Sequence, residues 1–378
     1  MKLIPRNNCV INENNDLETL FTFKSFPVFM GCTDDSISDD LSADMDWVIS
    51  KTSGMIQLKN LIPLDILYHK SHNSGFIGKT WHEHHVSFSN FLKQFDITSV
   101  FEIGGSHAIL AHEFQKTNDV KWTIIDPNPS PIKDSKVSFI KGFFDENLKY
   151  DDEFNTVIHS HLFEHMFDPN LFMSHLSEFI SDGKYLVFSV PNMNKMLELN
   201  YTNCLNFEHT LFLTEPYVEF LLSKNGFKLI KKEYFLNNHS IFYCYIRDSK
   251  TSTIMLPDDL YLQNKTLFLN YINYHTNLVS ELNLKIEETN KNVYLFGAHI
   301  FSQYLISFGL NSDKIISILD NDINKQGKRL YGTQLKINSP KILKNEKTPI
   351  VILKAGAYNE EIKLDILKNI NENTIFFE

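Results

Sequence analysis

The stretch VFEIGG, residues 100–105, decides the fold: an apolar run ends in an acid, Glu102, and enters the glycine pair Gly104-Gly105. Three related stretches follow in order. TIID (123–126) is a second apolar run ending in an acid, HSHLFEHMFDP (159–169) follows a third run at 156–158, and YLVFSVP (185–191) closes the series. Strands of four to six apolar residues alternating with amphipathic helices are the rhythm of a parallel α/β sheet, in which ligands sit at the strand carboxyl ends. The fold expected is α/β, with a Rossmann-like central domain.

The spacing carries the chemistry. A nucleoside needs a tight glycine turn so that backbone can approach it, and an acid at the tip of the next strand to accept from both ribose hydroxyls. Gly104 and Gly105 supply the turn, and Asp126 lies 24 residues beyond Glu102, close to one βαβ step. Ser106 and Ala108 stand where a dinucleotide fingerprint would carry glycines, so a pyrophosphate has no cradle. A cofactor without phosphates, S-adenosylmethionine, is therefore expected over NAD. The bland alternative is a glycine turn that only packs a helix on a strand. The candidate cofactor residues are Glu102, Gly104, Gly105, Asp126, Phe143, Ser160, His161 and His165. Phe143 and Phe144 could flank an adenine, although adjacent phenylalanines are more often core.

Composition narrows the class. The chain has 378 residues, too many for one ordinary domain, with 43% hydrophobic and 22% charged residues, as in soluble globular proteins. No apolar run approaches a membrane span and the N-terminus lacks the apolar centre of a signal peptide, so a cytoplasmic protein is expected. A net charge of -10 without a basic stripe argues against nucleic acid and for a small-molecule partner. Cys9, Cys32, Cys204 and Cys244 form no C-x-x-C pair, so neither a disulfide framework nor a zinc ribbon can be read. The oligomeric state is not legible.

Four parts are expected: a small β-rich lobe at 1–75, the cofactor-binding domain at 76–250, a helical connector at 251–290 and a second Rossmann-like α/β domain at 291–378. The last begins with VYLFGA (293–298) and a strand ending in Asp320, but its turn at Gly297 also lacks the glycines of a dinucleotide site. Packing or substrate contact is the simpler use of it.

Methyl transfer from a sulfonium is an in-line displacement, so positioning and a base for the acceptor proton do most of the work. His209 beside Glu208 suits the base, with His239 as a second candidate. The cluster WHEHH (81–85) reads as a helix lining the acceptor pocket, which makes His84 a substrate candidate, or as a plain solvated face.

Taken together these residues resemble the three-part sugar C-methyltransferases that act on nucleotide-linked keto-deoxysugars. The likeness spans nearly the whole chain: GMIQL (54–58) followed by 63–68, the central FEIGGSHAIL, the FEH at 163–165 with Asp168-Pro169, and KQGKR (325–329) with Tyr331-Gly332 and Ser339-Pro340. It implies substrate contacts at Tyr68 and Asn206 as well as the His209 base. Departures are as informative. Where the family carries paired zinc cysteines, this chain has Cys9 with Asn12 and Ser50 with Ser53, and one ligand of four holds no structural zinc. Where the family has Tyr-x-Glu-His, this chain has Asn206, Phe207, Glu208 and His209. The acceptor could therefore differ, as an O- or N-methylated metabolite, or the protein could bind a sugar nucleotide without turnover. A remote rival is a zinc hydrolase, because His161, Glu164 and His165 match the inverted zincin spacing H-x-x-E-H, which on an α-helix puts both histidines on one side.

Overall fold

The apolar runs become strands in the order the sequence implies. In the computed structural model, which describes residues 1–68 and 78–378, the chain forms two compact units. One comprises Met1–Glu18, Ile49–Met196 and Glu208–Asn264, the other Thr19–Val48, Leu197–Phe207 and Lys265–Glu378. The N-terminal stretch expected as one lobe is thus shared between them, and its expected boundary at residue 75 lies outside the described residues.

The first unit holds a seven-stranded sheet of β1 (Ser99–Ile103), β2 (Lys121–Asp126), β3 (Ser138–Lys141), β4 (Thr156–Ser160), β5 (Tyr185–Pro191), β6 (Phe227–Phe235) and β7 (Ser240–Arg247). Their spatial order is β6-β7-β5-β4-β1-β2-β3. Strands β1 to β5 are mutually parallel, and β7 runs antiparallel to both of its neighbours. This is the class I methyltransferase sheet. The chain leaves β1 toward β2 on one side and returns to β4 on the other, so the crevice for a ligand opens at the carboxyl ends of β1 and β4.

Burial on both faces explains the near-continuous apolar strands. On one face Val100, Trp122, Ile124, Ile158 and Val187 pack with Phe88 and Phe91 of α1 (Lys79–Leu92) and Leu110, Ala111 and Phe114 of α2 (Ile109–Gln115). On the other, Phe101 meets Phe154 and Phe179, the latter from α3 (Pro169–Phe179). Asp168 caps α3 by accepting from the Leu171 amide at 2.9 Å, with Pro169 inside the first turn where its missing N–H is harmless.

Where the resemblance would place zinc cysteines, side chains bond one another. Cys9 Sγ lies 3.1 Å from Ser53 Oγ, Ser50 Oγ accepts from the Ser53 amide at 3.1 Å, and Asn12 donates to Thr52 Oγ1 at 2.7 Å.

In the second unit five parallel strands, β8 (Val293–Phe296), β9 (Ile315–Leu319), β10 (Ile337–Asn338), β11 (Ile350–Leu353) and β12 (Ile375–Phe377), take the order β10-β9-β8-β11-β12. Val279, Leu282 and Ile286 of the helix Leu260–Glu287 close one core against Val293, Leu295 and Ile318. Asp320, past the end of β9, already accepts from the Ala298 amide at 2.9 Å, the Asp322 amide at 2.9 Å and Lys325 at 3.1 Å. The KQGKR turn docks on the segment 35–41: Arg329 grips both oxygens of Asp40 at 2.6 and 2.7 Å, with both side chains buried. Among the described residues no helix is long and apolar enough to cross a membrane.

Candidate functional site

The glycine turn after β1 is built on Glu102. Gly104 has φ +80°, a region that suits glycine, and its amide donates to the Ile125 carbonyl at 2.9 Å. At Gly105 a Cβ would fall 2.4 Å from the Glu102 carboxyl carbon. The Glu102 carboxylate is buried and accepts from the Trp122 indole at 2.7 Å. Burial raises its pKa to about 7, against the opposing effect of the Trp122 bond. Glu102, a cofactor candidate by sequence, lies under the turn with its side chain directed toward Trp122 and Gly105.

Asp126 ends β2 with its Oδ1 accepting from the Asn128 amide at 2.7 Å, and burial raises its pKa. Ser106 ties the two turns together, donating from Oγ to the Asn128 carbonyl at 3.0 Å and accepting from the Ser130 amide at 2.9 Å. The turns after β1 and β2 therefore form one connected cradle with no room for a side chain at Gly105. These residues fit a nucleoside bearing free ribose hydroxyls, the adenosine end of S-adenosylmethionine. Of the two phenylalanines after β3, Phe144 packs against Phe172 and Phe179, whereas Phe143 is exposed.

Beyond β4 the chain turns sharply. His161 adopts a left-handed backbone (φ +49°) and Phe163–His165 is a 3-10 turn, so the α-helix that an inverted zincin requires does not form. His161 Nε2 instead lies 2.9 Å from Ser240 Oγ, and His239 Nδ1 reaches the same hydroxyl at 2.6 Å. Trp81 packs on both imidazoles, each with a ring separation of 5.0 Å. His84 is wholly buried, with Nε2 3.0 Å from Ser189 Oγ. It was expected to line an acceptor pocket, but its position between α1 and β5 makes it a packing and anchoring residue. Ser160 ends β4 opposite Ser189.

A second group gathers around His165. The Tyr68 hydroxyl lies 3.2 Å from His165 Nδ1, and Glu208 Oε2 lies 4.0 Å from the same nitrogen. His209 is brought alongside by backbone: the Thr210 amide donates to the Glu164 carbonyl at 3.0 Å, and residues 56–58 pair with 210–212. The His165 and His209 rings are then 5.0 Å apart. Asn206, expected beside them, is buried in the second unit and donates to the Asn203 carbonyl at 3.4 Å.

Desolvation dominates the electrostatics. It lowers His165 and His239 to about 4 and His161 well below its ordinary value, and raises Glu164 and Tyr68. The three imidazoles are thus neutral near pH 7. Trp122 and Ser189 carry no assigned role in the sequence. Trp122, near the start of β2 and 20 residues after Glu102, was the one available signal, since indole and carboxyl groups in apolar strands seek partners.

Residues 83–232 match the family described as a methyltransferase domain, and residues 262–376 match the C-methyltransferase C-terminal domain. Among curated proteins no sequence matches the chain. Similar solved structures include the N-methyltransferase NodS from Bradyrhizobium japonicum WM9 in complex with S-adenosyl-l-homocysteine, 11% identical over 45% of this chain and 89% of that one, TM-score 0.35. An S-adenosylmethionine dependent methyltransferase from Mesorhizobium loti is 10% identical over 44% of this chain and 100% of that one, TM-score 0.36. The strand order and the two matched domains identify an S-adenosylmethionine-dependent methyltransferase.

Proposed function

We propose that this S-adenosylmethionine-dependent methyltransferase methylates a carbon atom of a sugar or nucleotide-linked sugar. The observation that carries the reading is the pairing of a class I sheet with a C-terminal domain of the C-methyltransferase kind at residues 262–376. The likeness of the KQGKR turn and of the FEH segment to the sugar C-methyltransferases supports the substrate class.

S-adenosylmethionine supplies a methyl group on a sulfonium, ready for in-line displacement. The cradle of Gly104, Gly105 and Asp126 would hold its adenosine, with Glu102 and Trp122 keeping the turn in shape. A carbon nucleophile beside a carbonyl forms only when its proton is taken up, and His209, paired in sequence with Glu208, would accept it. Tyr68 and His165 form the facing wall, where a hydroxyl and a neutral imidazole can orient an acceptor oxygen. Asn206 stands where the resembled family carries a tyrosine, a departure that leaves Glu208 and His209 as the matching pair.

The test is isotope-labelled methyl transfer from S-adenosylmethionine to a panel of nucleotide-linked keto-deoxysugars, with the product identified by NMR. A new carbon-bound methyl on a sugar is the expected result. A methyl found on oxygen or nitrogen, or transfer only to acceptors that are not sugars, would overturn it.

A further inference from the structure

We infer that Glu164, His165 and His209 form a binding site for a divalent transition-metal ion of the zinc or cobalt type. One ligand atom from each lies within 4.8 Å of the other two. The decisive observation is Glu164, whose side chain is 0% exposed. Among the described residues neither of its carboxylate oxygens has a hydrogen-bond partner. Its ion-pair neighbours there are imidazoles, His161 Nδ1 at 3.4 Å and His165 Nε2 at 3.8 Å. A buried carboxylate without hydrogen bonds is costly, and a bound cation is one of the few things that offsets the cost.

The donor set suits the ion. One carboxylate and two imidazoles are the three protein ligands of many open zinc sites, with metal–ligand distances of about 2.0–2.2 Å and a fourth position left for water or a substrate oxygen. Drawing these atoms in from their present spacing takes on the order of an ångström of side-chain movement. His165 is already oriented for it. Tyr68 engages Nδ1 at 3.2 Å, which leaves Nε2 facing Glu164 and provides the outer partner that metal-bound histidines use.

This site differs from the zincin spacing in the sequence. His161 turns away to Ser240, and His209, 45 residues beyond Glu164, takes its place. The ion site stands on this geometry alone; its consequence rests on the function proposed above. A metal ion on His209 occupies the nitrogen that would take the acceptor proton, so metal occupancy and proton acceptance exclude each other.

The experiment titrates Co²⁺ into metal-stripped full-length protein, reading the visible ligand-field bands, and measures S-adenosylhomocysteine binding by calorimetry in the same samples. One ion per chain is expected. Glu164→Gln and His209→Asn should each weaken binding by more than about 100-fold, and Tyr68→Phe by roughly tenfold as loss of an outer partner. S-adenosylhomocysteine affinity should stay unchanged throughout. Absence of Co²⁺ binding to the wild type, or binding unaltered in both ligand variants, overturns the site while leaving the methyltransferase assignment intact. If Glu164→Gln fails to fold, His209→Asn carries the test, because His209 is only partly buried.

Discussion

The Trp122 indole donates to Glu102 Oε2 at 2.7 Å, and the carboxylate so held sits against Gly105, where a Cβ would approach its carbon to 2.4 Å. Two residues of neighbouring strands thereby set the shape of a turn that neither belongs to. Trp122→Phe keeps the apolar bulk and removes the donor, leaving a buried carboxyl short of a partner. Loss of about 1–3 kcal/mol is expected in urea unfolding, with weakened S-adenosylhomocysteine binding in calorimetry. Unchanged affinity in the variant would show that Glu102 does not prop the turn.

Asp126 stands at the tip of β2, the position proposed to receive the ribose hydroxyls of the cofactor. Replacing it by alanine removes a charged acceptor whose hydrogen bonds are worth about 1.5–3 kcal/mol each. S-adenosylhomocysteine affinity should fall by at least about tenfold, measured by calorimetry on protein with an unchanged circular dichroism spectrum. Wild-type affinity in Asp126→Ala would mean that the cofactor's sugar is bound elsewhere.

His209 and Tyr68 separate chemistry from positioning. His209→Asn should lower kcat by roughly 10²–10⁴-fold, the range for loss of a general base, and leave S-adenosylhomocysteine affinity alone. Tyr68→Phe retains His165 but frees its Nδ1, so a smaller loss, on the order of tenfold, is expected mainly in KM for the acceptor. Steady-state kinetics with the methyl acceptor reads both, and a His209→Asn enzyme of normal kcat would remove it from the reaction.

Acid should destabilise the first unit. Burial lowers His159 to about 3 and His85, His165 and His239 to about 4, with His84 and His161 well below their ordinary value. The unfolded chain takes up these protons from about pH 6.5 downward and the folded chain does not. Their contribution is therefore complete above about pH 6.5 and lost as pH falls toward 4. Glu102, Glu164 and Asp126 are raised by burial and act in the opposite sense, favouring the fold at low pH. Six imidazoles against three carboxyls make the net effect a loss. Urea midpoints should be lower near pH 5 than near pH 7.5. The gap should narrow in His159→Leu, since His159 is stacked on Phe188 and has no hydrogen-bond partner among the described residues.

The strands were legible because each is an apolar run bounded by turn residues, and a parallel sheet buried on both faces needs nothing subtler. The glycine turn, Asp126 and the second α/β unit followed from the same local spacing. The HSHLFEH segment misled for a physical reason. Its letters fit a helix with His161 and His165 on one side, but the chain leaving β4 must turn at once, and it does so by placing His161 in a left-handed conformation. Periodicity cannot report such a turn, because a non-glycine residue there carries no compositional mark. His84 misled similarly: a polar cluster on a helix reads as a lining, whereas packing against β5 buried that one imidazole against Ser189.

By itself the sequence determined a class I α/β sheet, its glycine turn, the acid that follows, and a second α/β unit, all features set within about twenty-five residues by burial periodicity and backbone conformational limits. The tertiary structure alone decided that Trp122 holds Glu102, that His161 joins Ser240 and His239, and that His209 meets Glu164 and His165. Those relationships join residues up to 79 positions apart through strand order and backbone pairing, and a contact made by two surfaces folded together has no local signature in either of them.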